Sequence, residues 1–270
     1  MILLNGKLLN AAAAAVSPLG EGFQFGVGVF TTMRVRSGRP QFFKAHAERL
    51  ARDAQALGLL PASEPSVLAE RCAACIAVNR MDDGGLKIVW FADTDGSTGE
   101  IISQRPHSYG PELAERGFRL TTLTCASRES RTFSRHKTLN YLEHLHAKRA
   151  AVSAGFDDAL WVDERGIVLE GATTNIFAVI DGRIFTPDEK AGLLPGIARR
   201  VVLELAADDF EPARPTTITR EMLANAAEVF VTNSLIGVVP VRSWDERNYS
   251  LAENSVTRAV AAAFAAVANR

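Results

Sequence analysis

Three stretches of this chain carry residue types that could do chemistry together. The first is Arg135-His136-Lys137-Thr138-Leu139-Asn140-Tyr141-Leu142-Glu143, with Arg131 just upstream. A dense cationic setting makes the neutral, nucleophilic form of a lysine easier to reach. Lys137 is therefore a candidate for imine chemistry, although alone it reads equally as a solvated lysine at the start of a helix. The second is Leu169-Glu170-Gly171-Ala172-Thr173-Thr174-Asn175-Ile176-Phe177. Small residues after an acid let a backbone approach a flat ring, and hydroxyls can satisfy its polar rim; by itself, a glutamate at a strand end is a surface charge. The third is Gly192-Leu193-Leu194-Pro195-Gly196-Ile197-Ala198-Arg199. Pro and Gly break the chain just before an apolar helix, so the N–H groups of Gly196, Ile197 and Ala198 would face an anion favoured by the helix dipole. An ordinary loop-to-helix junction has the same look. Thr232-Asn233-Ser234 offers a further donor patch or simple turn chemistry, and Arg49, beside Glu48 and Arg52, an anion ligand or a solvated helix face. His144-Leu145-His146 is no metal pair, because i and i+2 diverge on a helix, and His107-Ser108-Tyr109 with Ser134 gives no serine triad.

The elements that must position these groups can be read from turn signals and periodicity. Asn5-Gly6 predicts a hairpin between residues 2–4 and 7–9, and Asp181-Gly182 another between 175–180 and 183–186. Residues 29–36 alternate as a strand; 86–91 form a strongly apolar strand with 99–103 its neighbour. Helices are predicted over 44–59, 66–79, 139–153, 196–207 and about 252–268, with part of another over 222–226. Gly155 takes the C-terminal role after the third of these. Further strands are predicted at 118–126, 159–162, 167–169, 228–232 and 238–242. Strands and helices mix without a repeating βαβ period, which predicts an α+β fold, not a doubly wound sheet. A small α+β domain over 1–108, a linker over 109–115 with Gly110 and Pro111, and a larger α+β domain over 116–270 follow.

With 270 residues, 47% hydrophobic, the chain has ample core for such a fold. Formal charge is −1, from 30 Lys+Arg against 31 Asp+Glu, with no polybasic run. Nothing here predicts nucleic-acid or membrane partners. The start lacks a signal peptide's basic and long apolar regions, and the alanine-rich runs fall short of the ~20 residues that span a bilayer; a cytoplasmic location is expected by default. Three cysteines, an odd number, argue against a disulfide framework. Cys72-Ala73-Ala74-Cys75 reads as two small core residues on one helix face.

In order and separation, the Lys137 and Glu170 stretches resemble those of the fold-type IV, class IV aminotransferase family of pyridoxal phosphate enzymes. The resemblance runs from Leu4-Asn5-Gly6 to Val239-Pro240-Val241, in at least five blocks. Within the family, Phe25-Gly26-Val27-Gly28-Val29-Phe30-Thr31-Thr32-Met33-Arg34-Val35 most resembles the 4-amino-4-deoxychorismate lyases. It implies a two-domain fold like that of D-amino acid aminotransferase, with pyridoxal 5'-phosphate between the domains, a small-molecule amine substrate, and a homodimer. It also implies roles. Lys137 forms the imine, Glu170 holds the pyridine nitrogen, and Thr173 and Asn175 line the turn beside the ring. Arg49, the N–H groups of Ile197 and Ala198, and the Ser234 hydroxyl bind phosphate; Tyr141 serves the 3-hydroxyl.

The same resemblance bears on the substrate. Val27 stands where the family usually has an acid, and Phe91-Ala92-Asp93 replaces a common loop arginine. Phe30 replaces the tyrosine whose hydroxyl serves the substrate carboxylate in D-amino acid aminotransferases, and Ala198 a hydroxyl common in branched-chain aminotransferases. The resemblance thus implies conversion of 4-amino-4-deoxychorismate to 4-aminobenzoate and pyruvate, a step toward folate. The alternatives are an aminotransferase of branched-chain, D-amino acid or (R)-amine substrates, or a non-catalytic scaffold. Alternation puts Phe30, Thr32 and Arg34 on one strand face and Thr31, Met33 and Val35 on the other. Relatives turn the first set toward the cofactor, so Arg34 is expected either to bind a substrate carboxylate or to pair with an acid across the sheet.

Overall fold

The computed structural model describes residues 1–105, 109–110, 112–208, 213–252 and 255–269. The readings that fell on Pro106, His107, Ser108, Pro111 and residues 253–254 lie outside them. The chain divides into two compact units: Met1–Ser108 with His136–Tyr141, and Tyr109–Arg135 with Leu142–Arg270.

The first unit contains β1 (Ile2–Leu4), β2 (Lys7–Leu9), α1 (Glu21–Gln24), β3 (Gly28–Arg36), β4 (Arg39–Pro40), α2 (Phe43–Ala56), α3 (Pro65–Val78), β5 (Asp83–Ala92) and β6 (Thr98–Arg105). Its described strands form one antiparallel sheet, β2-β1-β6-β5-β3-β4. The β1–β2 turn has φ of 51° at Asn5 and 77° at Gly6, the double positive that selects Asn-Gly. One face of β3 and β5 is apolar: Met33, Val35, Leu86 and Ile88 pack with Leu50 and Ala54 of α2 and Leu68, Cys72 and Cys75 of α3. Both helical cysteines are buried and free, and burial pushes the Cys72 thiol up to about 12. Neither is a thiolate near neutrality, so the pair is packing, as its spacing on α3 predicts.

The second unit contains α4 (Glu112–Arg116), β7 (Phe118–Cys125), α5 (Leu142–Ser153), β8 (Asp158–Asp163), β9 (Ile167–Gly171), β10 (Asn175–Ile180), β11 (Arg183–Pro187), α6 (Ile197–Asp208), β12 (Arg214–Thr216), β13 (Ile218–Thr219), α7 (Arg220–Ala224), β14 (Glu228–Asn233), β15 (Gly237–Trp244), β16 (Arg247–Asn248) and α8 (Val256–Ala268). Its described strands run β12-β11-β10-β14-β15-β7-β8-β9-β13, with β16 added on β15. The β7 pairings to β15 and β8 are parallel, and the β10–β11 hairpin is antiparallel around Asp181 (φ 51°) and Gly182 (φ 73°). Phe118, Leu120, Leu160, Ile176, Val231 and Val241 anchor the main core. Ala147 and Ala151 of α5 pack on Trp161, Leu169 and Ala172. The mixture is α+β, as the absence of a βαβ period predicts.

Two expectations shift. The segment read as a linker contains α4, held by buried Leu113. The helix expected from Leu139 begins at Leu142, because residues 137–139 are extended beside β3. No helix among the described residues is long and apolar enough to cross a membrane.

Candidate active site

Lys137 belongs to the first unit, and its backbone is fixed on three sides. Its carbonyl accepts from Phe30 N–H at 2.9 Å, Leu139 N–H donates to Gly28 O at 2.8 Å, and its own N–H donates to Asp53 Oδ2 at 3.1 Å. The close approach needs Gly28: a Cβ there would meet Trp90 O at 2.6 Å and Leu139 Cδ1 at 2.7 Å. Asp53 lies on the buried face of α2, 1% exposed, and its Oδ1 also shares a hydrogen bond of 3.1 Å with His136 Nδ1. Sequence reading missed this positioning acid. Its signal was a carboxylate on the apolar stripe marked by Leu50 and Ala54, where an acid is expensive unless bonded.

The Lys137 side chain reaches the β3 face that carries Phe30. Nζ donates to the Tyr141 hydroxyl at 3.5 Å and lies 4.7 Å from the Phe30 ring centroid; the Phe30 and Tyr141 rings meet edge-on at 5.2 Å. Phe30 and Thr32 share that face, as alternation predicts. Arg34, expected on that face too, donates from Nε and Nη2 to Asp83 Oδ1 and Oδ2, each at 2.8 Å. The planar fork of Arg34 is paired with an acid on the neighbouring strand, the geometry of the cross-sheet alternative. Arg49 is buried on α2, and its Nη2 donates to Thr31 Oγ1 at 2.9 Å. Thr31 Oγ1 in turn shares a 2.7 Å hydrogen bond with His46 Nδ1.

Glu170, at the end of β9 in the second unit, is 4% exposed. Leu194 N–H reaches both its oxygens at 3.3 Å, and Asn175 Nδ2 reaches Oε2 at 3.5 Å, at or beyond the long end for hydrogen bonds. Arg128 Nη1 stands 3.9 Å from Oε1. Arg128 is itself buried and stacks over Trp161, its guanidinium carbon 4.1 Å from the ring centroid. It faces Glu170 as a cation that favours the ionised acid; no local pattern marked it among its neighbouring arginines.

The turn after Glu170 is held from β8. Thr173 N–H and Oγ1 donate to Asp158 Oδ2 at 3.0 Å, and Thr174 Oγ1 at 3.1 Å. Burial pushes the Asp158 carboxyl up, opposed by Lys148 and these donors. Thr173 is thus committed to the turn itself. Asn175 Nδ2 also donates to Leu194 O at 3.1 Å, tying the acid's strand to the loop before α6. In that loop Asn175 Oδ1 occupies the space a Gly196 Cβ would take. The first α6 turn closes with Arg200 N–H on Gly196 O at 2.9 Å, so the N–H groups of Ile197 and Ala198 belong to the helix end without intrahelical acceptors. Ser234 follows β14, whose buried Thr232 Oγ1 has no partner among the described residues.

The family model for class IV amino-transferases matches residues 28–244. This chain is a class IV aminotransferase-family member. It is similar to the aminodeoxychorismate lyase of Bacillus subtilis, with 26% identity over 96% of this chain and 92% of that one. It is similar also to the D-alanine aminotransferase of Bacillus licheniformis, 27% identical over 90% of this chain and 88% of the other. Among solved structures, the branched-chain amino acid aminotransferase of Escherichia coli shares the fold at a TM-score of 0.90, with 26% identity over 99% of this chain and 94% of that one. Family membership makes the chain an enzyme, a lyase or an aminotransferase, with pyridoxal 5'-phosphate as cofactor.

The residues present fit that cofactor. A buried carboxylate with long neutral contacts and a cation behind it suits a protonated ring nitrogen, and an uncapped helix start with a buried threonine hydroxyl nearby in sequence to Ser234 suits a phosphate dianion.

Proposed function

We propose that this enzyme converts 4-amino-4-deoxychorismate to 4-aminobenzoate and pyruvate, a step toward folate. The observation that carries the reading is the β3 ring beside Lys137 Nζ: across from the Tyr141 ring it belongs to Phe30, followed by Thr31 and Thr32. An apolar ring offers no hydroxyl to an amino acid's carboxylate and suits a cyclic substrate. The similarity to an aminodeoxychorismate lyase along nearly the whole chain supports it.

Bound pyridoxal phosphate supplies an electron sink for the carbon that bears the substrate's amine. Lys137 would hold the cofactor between turnovers and, once freed, would take the proton from the substrate carbon that bears the amine. The Tyr141 hydroxyl, 3.5 Å from Nζ, orients it. Glu170 holds a proton at the ring nitrogen, with Arg128 keeping the acid ionised and Asn175 steadying it. The N–H groups of Ile197 and Ala198, the Ser234 hydroxyl and the Arg49 charge bind phosphate, and Thr173 shapes the turn. The C–O bond to the enolpyruvyl group would then break with its electron pair going to oxygen. The proton held by Lys137 would neutralise the leaving enolate, which ketonises to pyruvate, and formation of the aromatic ring would drive the release. The same reading carries a cytoplasmic homodimer acting on a small amine.

Amino transfer is the second reading, since Lys137 and Glu170 serve it equally and D-alanine and branched-chain aminotransferases are also similar. The purified protein, loaded with pyridoxal phosphate, is given aminodeoxychorismate while pyruvate is assayed. Amino acids are offered separately with a 2-oxo acid acceptor. Pyruvate release without amino transfer is expected; amino transfer without pyruvate release would replace the lyase reading.

A further inference from the structure

We infer that Lys87 binds a carboxylate of the substrate, with the Thr32 hydroxyl as its companion donor. The inference rests on the reading of the Phe30 face as the side where Lys137 works. In the β3–β5 ladder, Phe30 pairs with Val89 and Thr32 with Lys87. Residues directly opposite each other project to the same face, so Lys87 shares the face of Phe30 and Thr32, away from the Met33–Leu86–Ile88 core.

Lys87 leans back along that face. Its Nζ lies 4.6 Å from the Phe30 ring centroid, the ring that also has Lys137 Nζ at 4.7 Å. Two ammonium-bearing side chains thus flank one phenyl ring. Lys137 has Tyr141 and Asp53 around its segment, whereas Lys87, half-buried, has neither hydrogen bond nor ion pair among the described residues. Thr32 Oγ1, buried opposite Lys87, also has no hydrogen-bond partner among the described residues. A ring face is a poor substitute for the water a lysine gives up on burial. Burial, followed by the like charge of Arg105, pushes the Lys87 ammonium below the usual lysine range. A carboxylate arriving here would meet one unspent cation and one unspent hydroxyl. This is also the function left open where Phe91-Ala92-Asp93 replaces a loop arginine. In sequence, the only signal was a single cation inside the apolar run Leu86-Lys87-Ile88-Val89-Trp90-Phe91.

The substrate class implied is a cyclic amine that also bears a carboxylate, the amine directed to Lys137 and the carboxylate to Lys87. The test compares 4-aminobenzoate with aniline, a matched pair differing in the carboxylate, by titration calorimetry on the full chain loaded with pyridoxal phosphate. Wild type should bind 4-aminobenzoate more tightly, and Lys87→Met should remove roughly 10- to 100-fold of that preference while leaving aniline unchanged. Lys87→Arg should retain most of it, and Thr32→Val should lose a smaller part. In turnover, Lys87→Met should raise KM for aminodeoxychorismate with kcat and the visible cofactor band intact. Should Lys87→Met lose the band or its melting transition, Lys87→Gln takes its place. An unchanged preference for 4-aminobenzoate in either variant, or no preference in wild type, overturns the role of Lys87 and leaves the lyase reading standing. Failure of wild type to load cofactor on Lys137, read by borohydride reduction and peptide mass, overturns the underlying reading instead.

Discussion

Lys137 and Glu170 are the two reacting groups of the proposed chemistry, and the chain secures them differently. The Lys137 backbone is tied by β3 and by a carboxylate 84 residues away on α2, while its side chain rests on Tyr141 and an aromatic face. Glu170 is itself buried, and its following turn is fastened by Asp158, only 15 residues from Thr173. The first arrangement ties the main chain and holds the reactive tip only by one long hydrogen bond and two ring faces. The second buries the functional carboxylate and ties the turn that follows it. The difference matches the tasks: a nucleophile must leave and return, whereas an acid that holds one proton should stay still.

Variants at the two sites can break that contrast. The largest effect is expected from Lys137→Ala, which should lower turnover by more than ~10³-fold and remove the visible cofactor band; a reducible adduct at another lysine would show the amine to be elsewhere. Next, Glu170→Gln should keep cofactor bound, measured by its absorbance, but reduce kcat by ~10²-fold or more. A near-normal rate would strip the acid of its part. Asp53→Asn tests the anchor itself. It should slow turnover by ~10-fold and lower stability by about 1–3 kcal/mol, the cost of a badly met buried polar group, with faster hydrogen exchange at the Lys137 amide. Unchanged exchange there would mean that the β3 pairing alone holds the segment. Arg34→Leu, on the same strand but engaged with half-exposed Asp83, should cost at most ~1 kcal/mol by thermal melting and leave KM for aminodeoxychorismate unchanged.

Local signals were the legible ones. Asn5-Gly6 and Asp181-Gly182 need positive φ and made their hairpins, and alternation placed Phe30 and Thr32 on one face of β3. Lys137, Glu170 and the start of α6 were legible as a linked pattern, because a cofactor imposes residue types at fixed intervals. What escaped was long-range. Asp53 and Arg128 act through partners distant in sequence: the apolar stripe around Asp53 marks an acid that needs a bond but not its partner, and nothing near Arg128 sets it apart from its neighbouring arginines. Residues 139–141 looked helical because the pairing partner of the Lys137–Leu139 segment, Gly28 to Phe30, lies over a hundred residues earlier. Arg34 had two readings that alternation could not separate, since Asp83 becomes its neighbour only when β5 docks in register.

The three backbone hydrogen bonds around Lys137 also set a clock. With the main chain pinned on both sides of the lysine, departure and recapture of its nitrogen need only side-chain torsions, which relax in picoseconds to nanoseconds for accessible rotamers. Loop rearrangements run orders of magnitude slower. On the proposed chemistry, the released amine would stay tethered at a high effective concentration beside the carbon it must deprotonate, and closing each catalytic cycle would ask no folding work of the segment that carries it.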